Sequence, residues 1–148
     1  MLKAGTYYVG DLCYVLTEKN GFSWGSVLDE TGYLGCYKPG TEERIDRDET
    51  TGYFEYNGVK FFSSSTAYGD GTYEDQQGRA YDVDAGLIGA FPLSALPEGA
   101  AEEIRRQGLG HVIEFHSDFS CRTCDDGGVI RIGDLRIDTD PEPCEDQW

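Results

Sequence analysis

Basic side chains are scarce in this chain. Twelve lysines and arginines face 28 aspartates and glutamates, so the formal charge at pH 7 is −16, and only four of the bases are lysine. That deficit argues against direct nucleic-acid binding, because a phosphate backbone is repelled by such a surface. Long apolar runs are missing too. No window approaches the roughly 20 apolar residues of a membrane span, and no apolar leader follows Met1-Leu2-Lys3-Ala4-Gly5. The expectation is a cytoplasmic protein with no membrane partner. The signatures of nucleophilic and phosphate chemistry are also lacking: no G-x-S-x-G and no glycine-rich loop with its lysine occur. Five cysteines, an odd number without a leader, do not make a disulfide framework.

What is present favours strands. Twenty glycines, ten tyrosines and a single methionine suit pleated segments and tight turns better than long helices. An apolar content of 39% and an aromatic content of 13% supply a core despite the charge. The 148 residues fit one domain, which hides roughly 70% of its unfolded surface at this size. The predicted division is a β-rich domain over 1–138 and an acidic, mobile tail over 139–148. That tail carries acids and two prolines but no base.

Asn57-Gly58 between Tyr53-Phe54-Glu55-Tyr56 and Val59-Lys60-Phe61-Phe62 predicts a two-residue hairpin, since both turn residues need positive φ. A second hairpin is predicted to turn at Gln76-Gln77-Gly78. Residues 84–91 read as a glycine-broken buried strand, and 111–116, 129–132 and 135–138 as further strands. Residues 99–107 read as a helix whose acids precede its bases, stopped by Gly108. A short helix capped by Ser23 is expected over 23–30, and a surface loop over 41–51. Residues 5–16 read as two strands meeting at Gly10-Asp11, with Cys13 a small buried hydrophobe.

Residues 5–14 and 128–137 align without gaps at four identities, including Gly10-Asp11-Leu12 against Gly133-Asp134-Leu135. The echo predicts two glycine-aspartate corners whose strands lie side by side. The fold expected is therefore mainly β: a small barrel or strongly coiled antiparallel sheet with one or two short helices.

Three constellations are candidates for function. Asp11, Tyr68, Asp70, Tyr73, Asp75 and Asp84 put carboxylates and phenols on tight turns, and form the predicted ligand-binding set. The same carboxylates suit calcium or magnesium, although no EF-hand spacing occurs, and aspartates in such turns also serve simply as acceptors for backbone N–H. His116, Cys121 and Cys124, with His111 and Cys144 nearby in sequence, offer zinc donors. A strand places His111 and His116 on opposite sides. Finally, the negative charge itself could imitate nucleic acid and occupy a protein that binds it.

Tyr8-Val9-Gly10-Asp11-Leu12-Cys13-Tyr14-Val15, Thr66-Ala67-Tyr68-Gly69-Asp70-Gly71-Thr72-Tyr73-Glu74-Asp75 and Val83-Asp84-Ala85-Gly86-Leu87-Ile88-Gly89 resemble motifs of a family of small, uncharacterised bacterial and bacteriophage proteins. The likeness covers most of residues 6–92 and the strand pair at 128–139. It implies no activity, and it implies a host cytoplasm if the chain is phage-encoded. Leu12 stands where the family motif has proline, which implies a less rigid corner. The leading expectation is a non-enzymatic binding or accessory protein with an unknown small ligand or protein partner. Its rivals are an acidic inhibitor of a nucleic-acid-binding host protein and a metal-dependent hydrolase using the loop carboxylates.

Overall fold

The computed structural model describes residues 1–23, 25–27, 52–66, 71–84, 87–124 and 128–139. Local turn chemistry sets its hairpins. Asn57 and Gly58 hold φ of 52° and 79° and join β2 (Gly52–Tyr56) to β3 (Val59–Ser65), so Tyr56 faces Val59. Gly133, at φ 59°, opens the two-residue turn between β9 (Val129–Ile132) and β10 (Leu135–Asp138). The third hairpin pairs β4 (Gly71–Asp75) with β5 (Ala80–Val83) around Gly78.

The remaining described strands are β1 (Gly5–Gly10), β6 (Leu87–Pro92), β7 (Gly110–Phe115) and β8 (Cys121–Cys124). Two antiparallel five-stranded sheets result. Sheet I has the order β2-β3-β6-β1-β7, and sheet II the order β5-β4-β10-β9-β8. The helix α1 (Ala100–Gln107) has Glu102 and Glu103 in its first turn and Arg105 and Arg106 in its last, and ends at left-handed Gly108.

Sheet I is covered on both faces. Tyr7, Val9, Phe62, Ile88 and Ala90 point toward sheet II, where they meet Tyr81, Ile130, Ile132 and Ile137. Tyr8, Phe61, Leu87 and Phe91 point the other way, onto Leu12, Val15, Leu16, Leu96 and Ile104 of the helical layer. Each such side chain contributes roughly 1.5–3 kcal/mol by leaving water. This double burial explains unbroken apolar runs such as Leu87-Ile88-Gly89-Ala90-Phe91. Sheet II has a core face and a solvent face, which explains the alternation in Leu135-Arg136-Ile137-Asp138, buried, exposed, buried, exposed. The mainly β expectation holds, in its coiled-sheet form: the two sheets do not close into a barrel.

Two readings of the sequence are corrected. The chain after Gly10-Asp11 forms a 3₁₀ turn, Leu12–Tyr14, rather than a second strand, and Cys13 is half-buried there. The Asp11 carboxylate accepts the N–H of Cys13 and favours the turn. Gly133-Asp134, by contrast, is a hairpin tip. The echoed segments are therefore not equivalent, and they do not pair: β1 lies in sheet I and β9 and β10 in sheet II, stacked across the core.

Side chains stitch the sheets where backbone pairing stops. At one seam the Tyr53 hydroxyl accepts from the Cys121 N–H at 2.7 Å and donates to its carbonyl at 3.4 Å, while Thr123 donates to Ser64 at 2.6 Å. At the other, His111 Nε2 of β7 meets the Ala80 carbonyl of β5 at 2.7 Å, and its ring packs edge-on against Tyr81 at 4.8 Å. The helix expected after Ser23 is seen as helical residues 25–27, and Ser23 Oγ accepts the Ser26 N–H. The 41–51 loop and the 140–148 part of the tail lie outside the described residues. Thr139 itself is buried and donates its N–H to the Gly128 carbonyl. Among the described residues no helix is long and apolar enough to cross a membrane.

Candidate functional site

The predicted carboxylates separate by role. Asp11 is wholly buried at the end of β1. Its Oδ1 accepts from Cys13 N–H at 2.9 Å, and its Oδ2 accepts from Asp84 N–H at 2.7 Å, tying the end of β5 to the 3₁₀ turn. Asp75 is also buried. Its Oδ1 takes the N–H groups of Gln77 and Arg79, and its Oδ2 takes the Arg79 guanidinium at 2.9 Å and the Tyr81 hydroxyl at 2.8 Å. Burial pushes the Asp75 carboxyl up, but the donors from Tyr81 and Arg79 and the two backbone amides outweigh it and hold the group below its ordinary value. Tyr73 belongs to the core between the sheets. Tyr68 and Asp70 lie outside the described residues.

Around Asp11 the fold gathers an acidic corner. The Asp84 side chain is exposed, and Asp82 accepts the Thr72 hydroxyl at 2.9 Å. Tyr14, on the 3₁₀ turn, is pushed up to about 12 by burial first and then by the negative charges of Cys13, Asp11, Asp84 and Asp82. Tyr14 joins the corner by tertiary placement; its position in sequence gave no sign of it.

The zinc donors are dispersed in character. Cys121 packs in the core, and burial pushes its thiol up to about 12, which disfavours the thiolate a metal takes. His116 is exposed just beyond β7 and lines a groove of about 510 Å³ beside the stacked rings of Phe115 and Phe119, 3.9 Å apart. His111 belongs to the seam described above. Nothing is described of the Cys124 side chain or of Cys144. Among the described residues no three His, Cys, Asp or Glu groups stand together as a metal set.

A different place combines space with basic side chains. A groove of about 700 Å³ opens at the end of sheet I where β1 and β3 begin and β6 ends. Its walls are largely apolar, from Leu2, Val59, Pro92 and Leu93. Its only charged side chains among the described residues are Lys3 and Lys60, two of the chain's four lysines. Lys60 Nζ donates to the Met1 carbonyl at 3.0 Å and sits 5.0 Å from the centroid of the Tyr53 ring, so its ammonium is held at the rim. Lys3 is 90% exposed, and its pairing with Asp118 is loose, at 3.6 Å.

The acidic corner and the lysine groove occupy opposite ends of β1, roughly 20 Å apart for six extended residues. Residue-by-residue reading missed the groove because its lining comes from three distant segments. The scarcity of lysine was the one available signal. No family model, no curated protein and no solved structure matches the chain.

Proposed function

We propose that the protein is a non-enzymatic binding or accessory protein, and that its ligand is a small anion with an apolar body held in the lysine groove. One observation carries the reading: in a chain with 28 acids, a groove of about 700 Å³ has largely apolar walls, and the charged side chains that line it among the described residues are both lysine. Its volume is that of a small-molecule site, where apolar walls supply burial and a few polar groups fix orientation. The state of the carboxylates supports binding over hydrolysis. Asp11 and Asp75 are occupied as acceptors for backbone and side-chain donors, which leaves neither free to activate water.

Anilinonaphthalene sulfonate, an anion on an aromatic body, is a direct probe. Saturable fluorescence enhancement with the folded protein, displaced by decanoate and weakened about tenfold in Lys3→Gln/Lys60→Gln, is expected for two charge contacts. Equal binding by that double variant, with an unchanged thermal melt, removes the proposal.

A further inference from the structure

The solvent face of sheet II carries an arrangement that the groove does not use. Arg122 on β8 stands opposite Arg131 on β9, and Arg131 stands opposite Arg136 on β10. Directly paired residues of antiparallel strands share a face, and neighbouring strands lie about 4.8 Å apart. The other face of these strands is filled by Ile130, Ile132, Leu135 and Ile137. Three of the chain's eight arginines therefore form one row across three strands, on the outside of the sheet.

Such a row is costly, since like charges placed directly opposite each other repel. Arg136 is relieved by Asp138, with Nε to Oδ1 at 3.2 Å. Arg122 and Arg131 have no ion pair and no side-chain hydrogen bond among the described residues. The chain has acids in excess, yet among the described residues none neutralises these two guanidiniums.

We propose that this row is a docking surface for an acidic peptide segment of a partner protein. Guanidinium forks receive carboxylates in two parallel hydrogen bonds, and a row of them reads successive acids along an extended segment. The net charge of the molecule decides against a nucleic acid. A long polyphosphate would overrun the row onto exposed Glu74 and Asp138 and feel the whole negative surface. A short acidic segment stays on the row, and at physiological ionic strength charges beyond about 8 Å are screened.

The test is fluorescence anisotropy of a labelled hexaglutamate peptide with the full chain at physiological ionic strength, hexaglutamine serving as the neutral control. Hexaglutamate is expected to bind and hexaglutamine not to. Arg122→Gln/Arg131→Gln should weaken binding about tenfold, as expected for the loss of two exposed charge contacts. The same variant should melt no lower than the parent, because it relieves repulsion, so lost binding cannot be put down to misfolding. Arg122→Lys/Arg131→Lys, which keeps the charge but not the fork, should fall between the two. Lys3→Gln/Lys60→Gln should bind the peptide as the parent does, which separates this surface from the groove. Undiminished binding by the glutamine variant, or tighter binding of an oligothymidylate than of hexaglutamate, overturns the proposal.

Discussion

Asp11 and Asp75 are the residues on which the fold depends most locally. Each is a buried carboxylate whose oxygens are taken up by donors. Removing Asp11 orphans the amides of Cys13 and Asp84, so Asp11→Ala should cost about 2–3 kcal/mol of unfolding free energy in urea titrations. For Asp75, the folded carboxyl is held below its unfolded value. Its contribution is therefore complete above the unfolded value near 3.9 and is lost as pH falls through the folded one. Stability measured against pH should decline in that acid window for the parent and more shallowly for Asp75→Asn. The Cys121 thiol, pushed up to about 12 by burial, should resist alkylation at mildly alkaline pH in the native state and label fully in denaturant, as read by peptide mass spectrometry. The sequence showed both aspartates as turn carboxylates. It did not show that the second donor to Asp11 comes from Asp84, 73 positions away, because chain direction after Gly10 is decided by packing.

At the scale of elements, hairpin turns and the helix followed local chemistry closely. Asn57-Gly58, Gln76-Gln77-Gly78 and Gly108 do what their residue types dictate. The glycine-aspartate echo shows the limit of that logic. Gly10 pairs with Gly110, and a Cβ on Gly110 would approach the Tyr8 ring at 2.5 Å, so both glycines serve the seating of one buried phenol. Gly133 serves a turn. The same dipeptide has two causes, and only neighbours from other strands distinguish them. The seams are equally invisible in sequence. Tyr53 caps both backbone groups of Cys121 on an edge strand, a form of edge protection. Tyr53→Phe should lose about 1 kcal/mol and speed hydrogen exchange at the Cys121 amide. An unchanged exchange rate would show that the seam is held by packing alone.

For the whole molecule, charge is the dominant property. A formal charge of −16 on 148 residues repels itself, so the melting temperature should rise as salt is increased from about 10 mM to about 150 mM. A melt insensitive to salt would mean that local pairing already neutralises the field. Against this background the few bases are informative by position: two lysines at one end of sheet I, three arginines in a row on sheet II. Composition alone determined that the chain is β-rich, acidic and hairpin-built, because propensity, turn residues and apolar periodicity act over a few neighbours. Tertiary structure decided that the ends stack in separate sheets, that sheet I is buried on both faces, and that scattered lysines and arginines converge. Those outcomes depend on contacts between segments far apart in the chain, whose register no local pattern specifies.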